Sequence, residues 1–424
     1  MLAFTFSGQG SQRPGMGRNW TDHPSWEVVD EASALSGRDV AALLTEADDE
    51  ELRKTSNAQL ATFVLSLVAL DAIERVGLAP TVCAGHSLGE YSALTASGAM
   101  TFEDAVRLVA ERGEAMNDAS EENPGTMAAV LGLEEARVES VCAEIEGVWI
   151  ANYNGAGQSV VAGSYSAVER ASAAARESGA RRVTSLNVAG AFHTPLMAPA
   201  AARLRKALSS TRFLLPEVPV VANVDARAHR GAGEWRSLLA NQLCSPVRWR
   251  QSIQTLGGLG ITCAVEVGPG GVLSSLTKRE LPGVITLGVS DPEDIDVLVQ
   301  RLAGSDHLPP DISSHQGEHL FSSERVVVSP AAGVFDPDPG LEAPHPGRQG
   351  NLAPDAPTGA TGAGSEAGKH PVAVGDLLGS VGPYEVRTPF AGHLVAFIAH
   401  PGERVVKGQP IAWLHVDPEE STGR

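Results

Sequence analysis

Residues 85–89, GHSLG, place a serine between two glycines in the pattern G-x-S-x-G. A short apolar run at 81–85 leads into the pattern and a helical pattern follows it, so Ser87 is predicted to lie on a tight turn between a strand and a helix. Such a turn exposes the hydroxyl, and the amides at the start of the helix face charge that develops beside it. The pattern favours a nucleophilic serine; a serine that only caps the helix is the alternative.

A nucleophilic serine needs a base, and the sequence has 12 histidines. His193, in AGAFHTPLM, follows a predicted strand and precedes a helix that Pro195 can start. A base at the end of a strand can meet a serine on such a turn, although these residues alone leave open an ordinary buried histidine. Five other histidines lie in sequence typical of linkers, where no helix supports a metal site at HQGEH: His307, His315, His319, His345 and His370.

The elements that would position these residues follow an α/β pattern. Apolar spacing predicts helices at 57–76, 91–100 and 101–116 and strands at 2–7, 81–85, 219–224 and 263–268. Thr101 is the expected N-cap of the helix at 101–116. Residues 126–188 run in the order β-α-β-β-α-β, which is the ferredoxin-like pattern. The sequence therefore predicts the α/β fold class with a ferredoxin-like subdomain inserted at about 124–188.

Composition excludes several classes of protein. The chain has 424 residues and a formal net charge of -19, which disfavours a general nucleic-acid binder because such proteins need basic surface. No apolar run reaches the length of a transmembrane helix, and the N-terminus lacks the basic region of a signal peptide. The four cysteines are far apart, so no disulfide framework or structural zinc site is expected. A soluble cytoplasmic protein is the resulting expectation.

The composition changes after about residue 300. We expect a catalytic region at 1–303, a linker at 304–323 and a β region at 324–424. A disordered segment rich in proline and glycine is predicted to interrupt the β region at about 336–371, since it cannot bury enough apolar surface to order itself. Short β-like runs follow it at 384–398 and 404–416, and an earlier one lies at 324–335.

The first 300 or so residues resemble the malonyl-CoA:acyl carrier protein transacylases. Seven segments carry the resemblance in the family's order: FTFSGQGSQ, GHSLGEYSAL, RLVAERGEAM, NYNGAGQSVVAG, GAFHTPLM, NQLCSPVRW and EVGPGGVLSSL. Ser7 departs from the family, which usually has proline before GQGSQ. The resemblance implies an α/β-hydrolase-like core with a parallel sheet and ping-pong transfer of malonyl from malonyl-CoA to the phosphopantetheine thiol of an acyl carrier protein.

The resemblance also assigns roles residue by residue. Ser87 would carry the acyl group as an ester, and His193 would be its general base and then its general acid. The backbone carbonyl at Gln242 would orient the histidine in place of an acidic side chain. The backbone amides of Gln9 and Leu88 would form the oxyanion hole.

Three further residues would bind the substrate. Arg112 matches the family's carboxylate-binding arginine, whose planar fork suits a malonyl carboxylate. Met116 lies in the same segment and is assigned to the substrate pocket. Phe192 would leave little room for an α-methyl group and so favour malonyl over methylmalonyl. No metal and no redox cofactor is implied.

The end of the chain, 386–416, resembles the second half of a biotinyl/lipoyl carrier domain, a small β-barrel-like module. Such domains carry biotin on the lysine of Glu-Ala-Met-Lys-Met, and here GSVGPYEV stands in place of that turn. Lys369 lies in the linker-like segment and Lys407 on a different turn, so we expect no biotin. A docking or structural role is the hypothesis that remains.

Two alternatives stay open from the sequence. A hydrolase on the same fold could remove acyl groups from carrier proteins, which Arg112 disfavours. A non-catalytic docking protein is disfavoured for the whole chain by Ser87 and His193, though not for the tail. The expected partners are malonyl-CoA and an acyl carrier protein, with no nucleic acid and no membrane, and the chain is expected to be a monomer.

Overall fold

A computed structural model describes residues 1–302, 324–331, 333–341, 370–388, 392–405 and 409–415. The chain divides into two compact units, Met1–Ser313 and Ser314–Arg424. The predicted linker at 304–323 lies outside the described residues, as does most of the segment predicted to be disordered.

The first unit is built from helices and strands in alternation. Its α-helices are α1 Glu27–Ser36, α2 Val40–Thr45, α3 Asp49–Arg53, α4 Thr55–Arg75, α5 Gly89–Ala96, α6 Phe102–Glu122, α7 Glu135–Ala143, α8 Tyr165–Glu177, α9 Ala198–Ser210, α10 Trp235–Gln242, α11 Trp249–Gly258, α12 Val272–Glu280 and α13 Glu293–Leu302. Short 3-10 helices lie at Arg18–Trp20, Pro24–Trp26 and Pro195–Met197.

Strands of the first unit form two sheets. They are β1 Leu2–Phe6, β2 Val82–Gly85, β3 Thr126–Leu131, β4 Val148–Gly155, β5 Gln158–Gly163, β6 Arg182–Ser185, β7 Val220–Val221, β8 Ala228–His229, β9 Cys263–Val267 and β10 Ile285–Val289. The larger sheet has the order β10-β9-β1-β2-β7-β8. All of its pairings are parallel except β7 with β8.

The central strands β1, β2 and β9 of this sheet are buried throughout, which is why their sequences are continuous apolar runs. Because the strands are parallel, the carboxyl ends of β1 and β2 lie together, and the register pairs Phe6 with Gly85. The loop after β1 and the turn after β2 therefore leave the sheet side by side. This edge brings Gln9 and Ser87 into one region of the fold.

Helix α4 is long and apolar enough to cross a membrane by length and mean hydropathy, but 89% of its apolar window is buried inside the unit. It packs on α6, and Phe63 stacks against Phe102 with ring centroids 6.4 Å apart. The apolarity of α4 is thus accounted for by core packing. Thr101 caps α6 as expected, since its Oγ1 accepts the amide of Asp104 at 3.2 Å.

The inserted subdomain contains β3, α7, β4, β5, α8 and β6 in that order along the chain. Its antiparallel sheet has the order β4-β5-β3-β6, with both helices packed on one apolar cluster that includes Val138 and Val168. The expected ferredoxin-like order of elements is found. A parallel bridge between Asn152 and Val247 ties this subdomain to the rest of the unit.

Three predicted elements are shorter than expected. Gly98, at φ 72°, ends the helix predicted at 91–100, and the observed α5 stops at Ala96. The strand predicted at 219–224 is reduced to Val220–Val221, because the chain turns where the amide of Ala226 bonds to the carbonyl of Ala222. The strand predicted through residue 188 ends at Ser185.

The described residues of the second unit form two four-stranded sheets. Its strands are β11 Glu324–Val328, β12 Gly333–Pro337, β13 His370–Val372, β14 Leu377–Val381, β15 Tyr384–Arg387, β16 Gly392–Phe397, β17 Arg404–Val405 and β18 Pro410–His415. The sheet orders are β11-β18-β16-β13 and β15-β14-β12-β17. Phe335 and Phe397 meet in the core with ring centroids 5.6 Å apart.

The strands β12 and β13 correct the boundaries of the segment expected to be disordered at about 336–371. Strand β12 continues to Pro337 and pairs with β14, and β13 begins at His370 and pairs with β16. Both ends of the segment are therefore part of the sheets, because the backbone there finds pairing partners despite the proline content.

Candidate active site

Ser87 lies on a sharp turn between β2 and α5, with φ at 53° in the left-handed region. A Cβ at Gly85 would lie 1.9 Å from the carbonyl oxygen of Gly89, and one at Gly89 would lie 2.1 Å from that of Phe6. Neither position has space for a side chain. The two glycines of GHSLG are thus required by the close approach of the turn to itself and to β1.

His193 faces the serine from the loop before the 3-10 helix Pro195–Met197. Its Nε2 lies 2.8 Å from Oγ of Ser87, and its Nδ1 lies 2.9 Å from the backbone carbonyl of Gln242. A carbonyl oxygen only accepts, so Nδ1 carries the proton and Nε2 accepts from the serine. His193 also has a positive φ, 61°, so both members of the pair are held in the left-handed region.

Burial lowers the pKa of His193 to about 3, and the nearby positive charge of Arg112 acts in the same direction. The side chain is 4% exposed. The imidazole is therefore neutral near pH 7 and can accept the proton of Ser87. The carbonyl of Gln242 opposes the shift but does not overcome it.

Arg112 lies on α6 and is 1% exposed. Its Nη2 donates to Oγ of Ser87 at 3.2 Å and to Oε1 of Gln242 at 2.9 Å, and its Nη1 donates to Oε1 of Gln59 at 2.6 Å. The Cζ atom lies 5.4 Å from the centre of the Tyr91 ring. The guanidinium thus points at the reacting serine rather than to solvent.

Within the part of the chain that the structure describes, no carboxylate forms a salt bridge with Arg112 and its Nε has no hydrogen-bond partner. A buried cation without a contacting anion is costly. The three acceptors that hold it are two neutral amides and a hydroxyl. The arrangement leaves the cation able to take a carboxylate from a bound molecule.

Sequence reasoning missed Gln59, which lies on α4 and is fully buried. Besides accepting from Arg112, it places Nε2 3.2 Å from Sδ of Met116 and 3.5 Å from Oε1 of Gln9. The side chain therefore connects the arginine with two residues that the sequence had assigned to the site. Helix α4 carries several other polar residues, so the sequence offered no clue to Gln59.

Asn223 and Glu90 were missed as well. Oδ1 of Asn223 accepts the amide of Ser87 at 2.6 Å, and its Nδ2 donates to the carbonyl of Gly85 at 2.6 Å. The carboxylate of Glu90 accepts from the backbone amide of Asn223 at 2.8 Å and from the side-chain Nε2 of Gln242. An acidic residue in the first turn of a helix is ordinary, so the sequence offered no clue to Glu90.

The structure also locates the two amides expected to form an oxyanion hole. Gln9 lies in the loop after β1, and Leu88 stands at the N-terminal end of α5. Among the described residues, the structure records no acceptor for either amide. Ser7, the departure from the family pattern, fastens this loop by donating from Oγ to the carbonyl of Pro269 at 2.5 Å.

Phe192 is buried in the main core beside His193, and Met116 lies one turn beyond Arg112 on α6. At the residue before the serine, Nε2 of His86 lies 2.9 Å from Oδ1 of Asn154 in the inserted subdomain. The assembled groups are the half-buried hydroxyl of Ser87, a buried neutral imidazole and a buried guanidinium without a paired carboxylate among the described residues. Their chemistry suits acyl transfer to and from a substrate that carries a carboxylate.

The chain is similar to a known protein family and to characterised relatives. Residues 3–294 match the family described as acyl transferase domain. The malonyl CoA-acyl carrier protein transacylase of Bacillus subtilis is 42% identical over 307 residues, covering 71% of this chain and 97% of the relative. The protein of the same name from Escherichia coli is 42% identical over 300 residues, covering 69% and 96%.

Solved structures give the same picture. A malonyl-transacylase in complex with its type II polyketide synthase acyl-carrier protein superposes with a TM-score of 0.69 and 37% identity. The alignment covers 71% of this chain and 99% of that one. The match to the family ends at residue 294, before the second unit begins.

Proposed function

Because the chain belongs to the acyl transferase domain family, we propose that Ser87 and His193 are its nucleophile and its base and that Arg112 binds the carboxylate of the transferred group. The chain is a malonyltransferase: it moves a malonyl group from malonyl-CoA to the phosphopantetheine thiol of an acyl carrier protein, in fatty acid or polyketide biosynthesis. We place this activity in the cytoplasm and on a single copy of the chain.

In the first half-reaction, Oγ of Ser87 attacks the thioester carbonyl carbon while Nε2 of His193 takes the hydroxyl proton. The carbon–sulfur bond then breaks, and His193 returns the proton to the departing CoA sulfur. The malonyl group remains on Ser87 as an ester. The amides of Gln9 and Leu88 stabilise the oxyanion that forms in between.

In the second half-reaction, the phosphopantetheine thiol gives its proton to Nε2 of His193 and its sulfur attacks the ester. The carbon–oxygen bond to Ser87 breaks, and Oγ takes the proton back. Atoms and charges balance with these two residues and the two thiols. The carbonyl of Gln242 keeps the imidazole in the tautomer that both steps need.

The observation that carries the proposal is the position of Arg112. Its Nη2 is 3.2 Å from the nucleophilic oxygen and has no paired carboxylate among the described residues. A malonyl group has one methylene between its carboxylate and its thioester carbonyl. A carboxylate held at Arg112 therefore brings that carbonyl to Ser87. Met116 and Phe192, both buried in the main core, are proposed to supply apolar surface to the substrate pocket.

Intact-mass measurement after mixing the chain with malonyl-CoA tests the proposal. A malonyl adduct that passes to an added acyl carrier protein is expected for the wild type. Ser87→Ala should form no adduct and release no malonate. Free malonate without a lasting adduct in the wild type would instead mean hydrolysis, and an adduct on Ser87→Ala would contradict the assigned nucleophile.

For the second unit we infer a carrier-like β module that bears no biotin. Two four-stranded sheets around one apolar core support this assignment. The described turn between β14 and β15, the place expected for a modified lysine, runs from Val381 to Tyr384 and contains no lysine. Docking of another component is the role left for it. A biotin signal on a streptavidin blot of the purified chain would overturn the assignment.

A further inference from the structure

Glu90 is a fully buried carboxylate that the mechanism above does not use. It stands in the first turn of α5, three residues after Ser87. Oε1 accepts the backbone amide of Asn223 at 2.8 Å, and Oε2 accepts Nε2 of Gln242. Both partners are donors, so the ionised carboxylate satisfies them together.

Each partner of Glu90 touches the reacting groups. Gln242 orients His193 through its backbone carbonyl, accepts from Arg112 through Oε1, and donates from Nε2 to the carbonyl of Ser87 at 2.8 Å. Asn223 accepts the amide of Ser87 and so holds the serine at its unfavourable positive φ. One carboxylate thus holds the side-chain amide of Gln242 and the backbone amide of Asn223, two residues on which the site depends.

A charge argument points the same way. Gln242 lies between Arg112 and Glu90, accepting from the cation through Oε1 and donating to the anion through Nε2. Glu90 therefore offsets the buried positive charge without touching it. The guanidinium stays free for a carboxylate from the substrate, which a direct ion pair would prevent.

We propose that Glu90 is a positioning residue for malonyl transfer, fixing Gln242 and Asn223 so that His193, Arg112 and Ser87 hold their reactive arrangement. The inference rests on the proposed function of Ser87 and His193. Protonation of Glu90 would put a hydroxyl on one of its two accepting oxygens and weaken the hydrogen bond accepted there, so the arrangement favours the ionised form.

Among the described residues, three charged or titratable groups act on Glu90. They are Arg112 on α6, Asp225 after β7, and Tyr91, which follows Glu90 on α5. Burial raises the pKa of Glu90 to about 7 against the opposing effects of its two donors and of Arg112. The pKa of His193 is about 3, so the base does not titrate near neutral pH. A loss of Ser87 acylation between pH 8 and pH 5.5 that is absent in Glu90→Gln would therefore report on Glu90.

The test is the rate of single-turnover acylation by malonyl-CoA, followed by intact mass, at roughly pH 5.5 to 8. The wild type should lose activity as the pH falls through about 7. Glu90→Gln should be at least tenfold slower at the upper end and nearly independent of pH. The inference would be overturned by a Glu90→Gln protein that acylates at the wild-type rate. It would also be overturned if this variant loses rate at low pH as the wild type does.

Two further variants complete the test. Glu266→Gln is the matched control, because Glu266 is also buried and accepts only backbone amides, those of Gly271, Leu273 and Ser274. Its acylation rate should fall at low pH as that of the wild type does. If Glu90→Gln does not fold, Glu90→Asp replaces it. Because the shorter side chain cannot reach both donors, we expect a slower acylation rate and a shift in the pH at which the rate falls. A Glu90→Asp protein with the wild-type rate and pH dependence overturns the inference. A wild type that forms no adduct at any pH contradicts the proposed function instead.

Discussion

Arg112 and Ser87 are joined by a hydrogen bond in which Nη2 donates to Oγ across 3.2 Å. The cation proposed to hold a substrate carboxylate is thus within hydrogen-bond distance of the oxygen proposed to be acylated. This short separation suits an acyl chain with one methylene between its two carbonyl carbons. If Arg112 binds the malonyl carboxylate as proposed, one contact would serve both substrate selection and acyl transfer.

We expect Arg112→Gln to reduce acylation by malonyl-CoA by about 30- to 1,000-fold, since a buried substrate carboxylate would lose its charged partner, worth about 2–4 kcal/mol. Acetyl-CoA has no carboxylate, so its acylation rate should stay within about threefold of the wild type. Acylation rates for the two thioesters, measured side by side by intact mass, give the comparison. Equal losses for both would place Arg112 in a structural role.

Phe192 is expected to restrict the substrate's α-carbon. Replacing it with serine removes a buried ring next to His193 and opens space for a methyl group. The ratio of kcat/KM for malonyl-CoA over methylmalonyl-CoA should fall by about 10- to 200-fold. Phe213, partly buried against the same core, is a control whose replacement by serine should leave the ratio unchanged. No change of the ratio in the Phe192 variant would exclude a selectivity role.

Gln242 is expected to act on His193 through its backbone and on Arg112 through its side chain. Gln242→Ala keeps the carbonyl that accepts from Nδ1 at 2.9 Å and removes the amide. We therefore expect a loss of about tenfold in kcat/KM, compared with roughly 10²- to 10⁴-fold for His193→Ala. Steady-state kinetics with malonyl-CoA and a carrier protein measure both. Similar losses in the two variants would mean that the side chain also orients the base.

The depressed pKa of His193 has a consequence for stability. A histidine titrates near 6.5 in the unfolded chain and at about 3 here, so the folded state binds fewer protons between these values. The stabilising contribution is complete above pH 6.5 and is lost as the pH falls toward 3. It amounts to about 1.4 kcal/mol per pH unit at most.

Urea unfolding of the wild type and of His193→Asn at about pH 7 and pH 5 isolates this contribution. The raised pKa of Glu90 acts in the opposite direction, since that stability is lost as the pH rises through about 7. The difference between the two proteins removes the Glu90 contribution. The wild type should lose about 2 kcal/mol more than the variant on acidification. Parallel curves would mean that His193 is not buried in its neutral form.

Ser87 and His193 could be picked out from the sequence because each stands in a recognisable local pattern next to a predicted strand. A serine between glycines at the end of an apolar strand must lie on a turn, and the spacing of the helices and strands follows from which faces are buried. The same reasoning gave the order of the inserted subdomain. It overextended the strand predicted at 219–224, because the turn there depends on pairing with β8 and on the contacts of Asn223 with Gly85 and Ser87, which no local pattern encodes.

The tertiary structure alone decided how the charges are arranged. Gln59, Glu90 and Asn223 stand 50 or more residues from at least one of their partners, and each looks ordinary in its own helix or loop. Whether Arg112 is paired or free, and whether His193 is neutral, depends on burial and on which amide oxygen faces the guanidinium. Residue types determined which groups are available for acyl transfer, while packing of distant segments around the turn between β2 and α5 determined their protonation and direction.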